Sequence, residues 1–234
     1  MGIVNVTPDS FSDGGHYFNP DAAWEQALTL IAQGADILDI GGESARPGAK
    51  TVTVEEELKR VIPLIKRLHA EQDICLSIDT CKAAVMRAAV AAGAGMINDV
   101  AALSEDESLK AAAELRVPVC LMHRQGTPLT MQQNPFYYKD VVDDVNDFFQ
   151  ERIDRCVSAG LPRENLILDP GFGMGKSVSH NLKLINQLQQ FARHNLPILL
   201  GVSRKSTLGI ILHKPVGGWD SSHCDCCDER CYYH

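Results

Sequence analysis

The sequence predicts an α/β fold of the TIM type, a parallel (β/α)8 barrel that is incomplete, with seven recognisable strands. Three observations carry this expectation. Short apolar runs alternate with longer segments of helical periodicity along the chain. The runs are almost continuously apolar, as parallel strands covered by helices must be. Nearly every run ends in a polar side chain, and a barrel brings all such C-terminal ends to one rim. An open doubly wound sheet would string them along an edge and use only its switch point.

The runs, in order, are "GIVNV", "DILDIGG", "ICLSID", "GMINDV", "VCLMH", "LILDPG" and "ILLGVS". Between the first two lies "PDAAWEQALTLIAQG", where Ala23, Ala27, Leu30 and Ile31 share one helical face. Pro20 and Asp21 suit the start of that helix, and Gly34 is placed to end it. "VEEELKRVIPLIKRLHA" and "KAAVMRAAVAAG" repeat the helical pattern after the second and third runs. Past Ser206, "LGIIL" continues a helix and no further strand pattern follows, so an eighth strand is not expected. Residues 1–216 read as one domain. Residues 217–234 read as a disordered Cys-rich tail.

Composition narrows the function. The 234 residues are 45% hydrophobic with a net charge of -8, which argues against nucleic acid and anionic membrane as partners. Aromatics make up only 6%, too few for base-stacking platforms. No run of about 18 apolar residues and no basic-then-apolar leader is found, so a cytoplasmic protein is expected. Cys75 and Cys120 sit in apolar runs, where cysteine behaves as a small hydrophobe.

One motif invites a different function. "LDPGFGMGKS" (168–177) ends as a phosphate-binding loop ends. Such a loop needs a glycine five positions before the Gly-Lys pair, and that position is Pro170, which has no N–H to offer phosphate. A nucleoside triphosphate is therefore a poor candidate ligand.

The strand ends supply Asn5, Asp39, Asp79, Asn98 with Asp99, His123, Asp169, and Ser203 with Arg204 and Lys205. Singly, each could be a helix cap or a turn former. Gathered at one barrel mouth, carboxylates and carboxamides require a cation or a ligand rich in N–H groups. A 2-amino-4-oxo pteridine fits, since a carboxylate can take two adjacent N–H groups and a lysine can meet the carbonyl. A purine or a flavin edge fits the same residues.

Seven stretches together resemble the dihydropteroate synthase family: "MGIVNVTPDSFSDGG", "DILDIGGESARPGA", "SIDTCKAAV", "INDVAAL", "LMHRQGTP", "LILDPGFGMGKS" and "GVSRKS". They occur in order from Met1 to about Pro215. The resemblance implies a TIM barrel joining 6-hydroxymethyl-7,8-dihydropterin pyrophosphate to 4-aminobenzoate, with release of pyrophosphate and with Mg²⁺ as cofactor. It implies Asn5 near Mg²⁺ and pyrophosphate, and Asp79, Asn98, Asp169 and Lys205 around the pterin, with Asp39 among the substrate-binding strand ends. Arg46 matches a loop arginine near the pyrophosphate; Phe11, Pro47 and Ser206 match positions near the aminobenzoate; Lys176 falls in the glycine-rich loop. Asn5, Asp79, Asp169 and Lys205 form the expected catalytic set. The partners implied are small molecules, with room for a homodimer.

The sequence departs from that family in places. Ala45 stands where the family has threonine, and Met174 where it has phenylalanine, a tolerable apolar exchange. The family's closing Arg-Val-His-Asp motif does not occur, so lowered stability and weakened turnover are expected. Cys224, Cys227, Cys231, His223 and His234 could be read as zinc ligands, but the segment offers almost no scaffold between ligand pairs, and a tail without function is the expectation. A corrinoid methyltransferase pterin domain and a non-catalytic pterin binder are the competing readings.

Overall fold

The computed structural model describes residues 1–7, 20–43, 51–126, 140–203 and 205–213. Six strands lie side by side: β1 (Gly2–Asn5), β2 (Ile37–Gly41), β3 (Cys75–Asp79), β4 (Met96–Asp99), β5 (Val119–Met122) and β6 (Leu166–Asp169). All pairings are parallel and the spatial order is the chain order. Helices α1 (Pro20–Ala32), α2 (Val54–Glu71), α3 (Ala83–Ala92), α4 (Asp106–Leu115) and α5 (Val141–Ser158) fill the crossovers. α6 (Val178–Asn186) and α7 (Ser206–Leu212) follow β6. Right-handed crossovers between strands in unbroken order place every helix on one face. The opposite face then curls on itself as a barrel interior, whereas a doubly wound sheet would reverse its order partway. The barrel expectation holds.

Strand alternation sorts the side chains. Leu38, Ile40, Leu76, Ile78, Val119, Leu121, Leu166 and Leu168 face outward into one core with Ala27, Val61, Ile65, Val85, Ala89 and Phe149 from the helices. The inward face carries the polar strand residues Asp39, Ser77, Asp79, Asn98 and Asp169 among apolar ones such as Met96, Cys120 and Met122. Local signals set the helix ends. Thr53 caps α2, its side chain accepting from Glu56 N at 3.3 Å, and Gly34 (φ 90°) follows α1 where expected.

Two expectations need correction. The seventh run is not a full strand; it touches β6 through a single parallel bridge, Leu168 to Ile198. Leu168 N donates to Pro197 O and Leu199 N donates to Leu168 O, both at 2.9 Å. Pro197 cannot donate to a ladder, which helps keep the pairing short. Cys75 is exposed rather than packed as a hydrophobe, because it is the first, inward-facing residue of β3, while Cys120 is buried as expected. No eighth strand occurs among the described residues, and the 217–234 tail with its cysteines lies outside them. No helix of the described residues is long and apolar enough to cross a membrane.

Candidate active site at the barrel mouth

The register brings the expected residues together. Asn5 pairs with Gly41, Gly41 with Asp79, and Asp79 with Asn98, so three polar ends share one level of the sheet. Gly41 has no side chain to separate its neighbours: a Cβ there would lie 3.4 Å from Asp79 Oδ2 and 3.6 Å from Asn5 Oδ1. Asp39 sits one inward position deeper and is 4% exposed. Its Oδ2 accepts from Asn98 Nδ2 at 2.8 Å, while its Oδ1 is buried without a hydrogen-bond partner. Across the mouth, Asp169 ends β6 and accepts from Gly171 N at 2.7 Å.

Burial governs the charges. It pushes Asp79 well above the usual carboxylate range, and the neighbouring Asp39, Asp99, Glu57 and Glu43 add to the shift. Burial also raises Asp39, against the Ser77 and Asn98 contacts that favour its ionised form. Asp169 is pushed up to about 6 by burial, held back by the Gly171 N–H and by Lys205 and Lys176. Lys205 is lowered by burial, while Asp169 and Asp79 work to keep it charged. Among the described residues the rim thus gathers several carboxylates about Lys205.

The glycine-rich loop is shaped by what lies beneath it. A Cβ on Gly171 (φ 67°) would stand 1.8 Å from His123 O, an impossible approach for any other residue. A Cβ on Gly173 would meet Lys205 Cδ at 3.0 Å, so the bare backbone gives that lysine its path. Lys176 turns inward and is 3% exposed. Its Nζ donates to Gly171 O (2.9 Å), His123 O (3.2 Å) and Met174 O (3.2 Å), and stands 2.9 Å from His123 Nδ1. Burial first, offset by Asp169, brings it down to about 7. The lysine is occupied in stapling the loop to the end of β5. The loop amides are occupied as well: Gly171 N by Asp169, Gly173 N by Asn181, Met174 N by Gly171 O. None of these is left to cradle phosphate.

Other strand ends take plainer roles. Asp99 accepts from Ala101 N (2.7 Å) and Leu103 N (2.9 Å), forming the turn after β4. His123 is buried, driven well below its ordinary value by burial and by Lys176, and packs edge-on against Phe148. Asp79 does not cap α3, whose N-cap is Lys82. Ser206 opens α7 beside Lys205 and is exposed. Met174 packs with Met122 and Val100, its Sδ 3.4 Å from Lys205 Nζ. Arg46, Phe11, Pro47, Ala45 and Arg204 lie outside the described residues.

Sequence reasoning missed two groups. Asn181, fully buried on α6, accepts from Gly173 N (2.8 Å) and donates to Thr207 Oγ1 (2.8 Å), tying the glycine loop to the helix that follows Lys205. Lys82 bridges Glu43 and Glu57 at 2.5 Å each, and Glu43 Oε2 also accepts from Val52 N at 3.0 Å. A polar residue in a helix or at its start carries no sequence signal of such contacts.

Comparison with known proteins agrees with this geometry. A family model described as pterin binding enzyme matches residues 1–228. The dihydropteroate synthase of Escherichia coli is 52% identical over 213 residues, covering 91% of this chain and 75% of the relative. The Yersinia pestis dihydropteroate synthase, solved with a sulfonamide drug complex, superposes with a TM-score of 0.87 at 50% identity, covering 93% and 78% of the two chains. The Xanthomonas albilineans dihydropteroate synthase, solved with 7,8-dihydropteroate, gives 0.81 at 49% identity, covering 92% and 76%. The ordered polar strand ends and these likenesses lead to one conclusion: the chain belongs to the dihydropteroate synthase family of pterin-binding enzymes.

Proposed function

We propose that this chain carries out the dihydropteroate synthase reaction at the barrel mouth. The 4-aminobenzoate nitrogen attacks the exocyclic carbon of 6-hydroxymethyl-7,8-dihydropterin pyrophosphate. A C–N bond forms, the C–O bond to pyrophosphate breaks, and the amine loses a proton to solvent. The observation that carries the reading is the rim among the described residues, where Asp79 and Asp169 gather with Asn98 and Lys205 above the deeper Asp39. Such a rim favours a ligand edge made of N–H donors.

An aryl amine is neutral at pH 7 and carries its lone pair ready, so the mouth needs no strong base. The task is to stabilise charge as the leaving group departs. Asp79 and Asp169 favour positive charge spreading into the pterin ring, and Lys205 is placed to meet an acceptor on the same ring. Mg²⁺ fits this rim as a shared ion rather than a caged one. Among the described residues no cluster of three or more His, Cys, Asp or Glu could hold a metal. Mg²⁺ commonly takes one or two protein oxygens together with substrate phosphates, and Asn5 Oδ1 offers such an oxygen. The ion would supply charge neutralisation to departing pyrophosphate.

We assign Phe11, Arg46, Pro47 and Ser206 to the aminobenzoate and pyrophosphate side, and give Lys176 a supporting role under the loop. A cytoplasmic enzyme acting on free small molecules suits the net charge of -8. Leu182 and Ile185 on α6 and Ile210 on α7 are exposed, and they are where a second copy would pack in a homodimer. We keep the barrel domain at 1–216 and treat 217–234 as a separate tail.

Calorimetric titration with the dihydropterin pyrophosphate and Mg²⁺ tests the reading. Saturable binding is expected, weakened at least about tenfold in Asp169→Asn, the loss of roughly one charge-assisted hydrogen bond. A folded protein that takes up no pterin would end it.

A further inference from the structure

The deepest polar pair in the mouth has a direction built into it. Asn98 Nδ2 donates to Asp39 Oδ2 at 2.8 Å, the direction that the ionised carboxylate, which can only accept, requires. The orientation of that carboxamide, ordinarily interchangeable end for end, is therefore tied to the charge on Asp39. Asp39 is 4% exposed and Asn98 only partly buried, so the pair runs from the barrel interior toward the mouth. With one N–H committed to Asp39, the Asn98 carbonyl oxygen is turned away from that carboxylate and is open to a ligand as an acceptor. Burial works against the charge on Asp39, and Asn98 and the fully buried Ser77 beside it work for the ionised carboxylate.

We propose that Asp39 is a positioning residue for pterin recognition, holding Asn98 acceptor-outward without itself meeting the ligand. The inference rests on the pterin-binding reading above. Asn98, Asp79 and Asp169 then face the ligand as acceptors, and Lys205 is the donor that opposes them. In Asp39→Asn the partner at this spot can donate as well as accept, so Asn98 is free to reverse and aim N–H at a ligand N–H. A side chain that helped binding then opposes it.

A double-mutant cycle reads this directly. Calorimetric affinity for 6-hydroxymethyl-7,8-dihydropterin pyrophosphate with Mg²⁺ is measured for the unsubstituted protein, Asp39→Asn, Asn98→Ala and the double variant, with a thermal melt of each. Asn98→Ala is expected to weaken binding about tenfold in the unsubstituted protein, and to leave it unchanged or improve it when Asp39→Asn is already present. A residue that merely supported the fold would lower melting temperature and leave the two effects additive. Additive losses overturn the proposal. Should Asp39→Asn not fold, Asp39→Ser, which admits water to the same space, carries the same cycle. If neither folds, Asp39 is a structural residue and the proposal falls. Failure of the unsubstituted protein to bind would remove the pterin reading and this inference together, whereas binding with additive effects removes the inference alone.

Discussion

At Asp169 and Lys176 the site holds two ionisable groups against their ordinary preference, and stability should record it. Asp169 keeps a proton up to about pH 6 in the folded chain, but an unfolded aspartate releases it near pH 4. Between those values the folded state binds more protons, so stability falls as pH rises through the window. The raised Asp39 and Asp79 act in the same sense. Lys176 gives up its proton at about 7 when folded, against about 10.4 unfolded. There the unfolded state binds more protons, so stability rises with pH above 7. Urea unfolding from pH 5 to 9 should pass through a shallow minimum between about 6 and 7, with Asp169→Asn flattening the acidic side. A monotonic profile unaltered by Asp169→Asn would contradict the burial argument. Asp169 was legible in the sequence because it ends an apolar run. The occupation of Lys176 was not, because Gly-Lys-Ser says nothing about which way the ammonium turns.

Among the elements, the loop from β6 to α6 is held from three sides. Asp169 takes its first free amide, Lys176 gathers its carbonyls, and Asn181 joins it to Thr207 on α7. Asn181→Leu removes the acceptor of Gly173 N and the donor to Thr207 Oγ1 and crowds a fully buried place. A stability loss of about 2–3 kcal/mol is expected from the broken buried network. Because Thr207 follows Lys205 by two residues, affinity for the pterin should fall as well. Denaturant unfolding and titration of the same sample check both, and an unchanged affinity would show that Lys205 is placed independently of Asn181. The strands themselves were readable from apolar runs, since parallel strands bury both faces. The seventh run was over-read: apolar content there is strand-like, yet Pro197 withholds a donor and one bridge results. The turn role of Asp99 was one of two readings open at every strand end. Only the register decides between them, by setting which ends share a level.

Over the whole molecule, the site draws Asp39, Asp79, Asn98, Asp169 and Lys205 from four strands and the start of α7, across most of the chain's length. No short segment holds enough of these residues to bind alone, so the unfolded chain has no affinity for the ligand. Binding must then stabilise the fold as a whole rather than one piece of it. At a ligand concentration about a hundred times its dissociation constant the gain is about 2.7 kcal/mol. For a domain of this size that corresponds to a rise in melting temperature of about 5–10 °C. Neutralising the crowded carboxylates adds a diagnostic sign: ligand N–H groups favour ionised Asp169 and Asp79, so binding below pH 6 should release protons. Melting curves with and without the dihydropterin pyrophosphate and Mg²⁺, together with titrations in buffers of different ionisation heat, measure both effects. In Asp169→Asn the proton release should shrink and the melting shift should narrow. A ligand that raised the melting temperature equally in both proteins would be binding away from the barrel mouth, and the assignment of this rim as the pterin site would have to be abandoned.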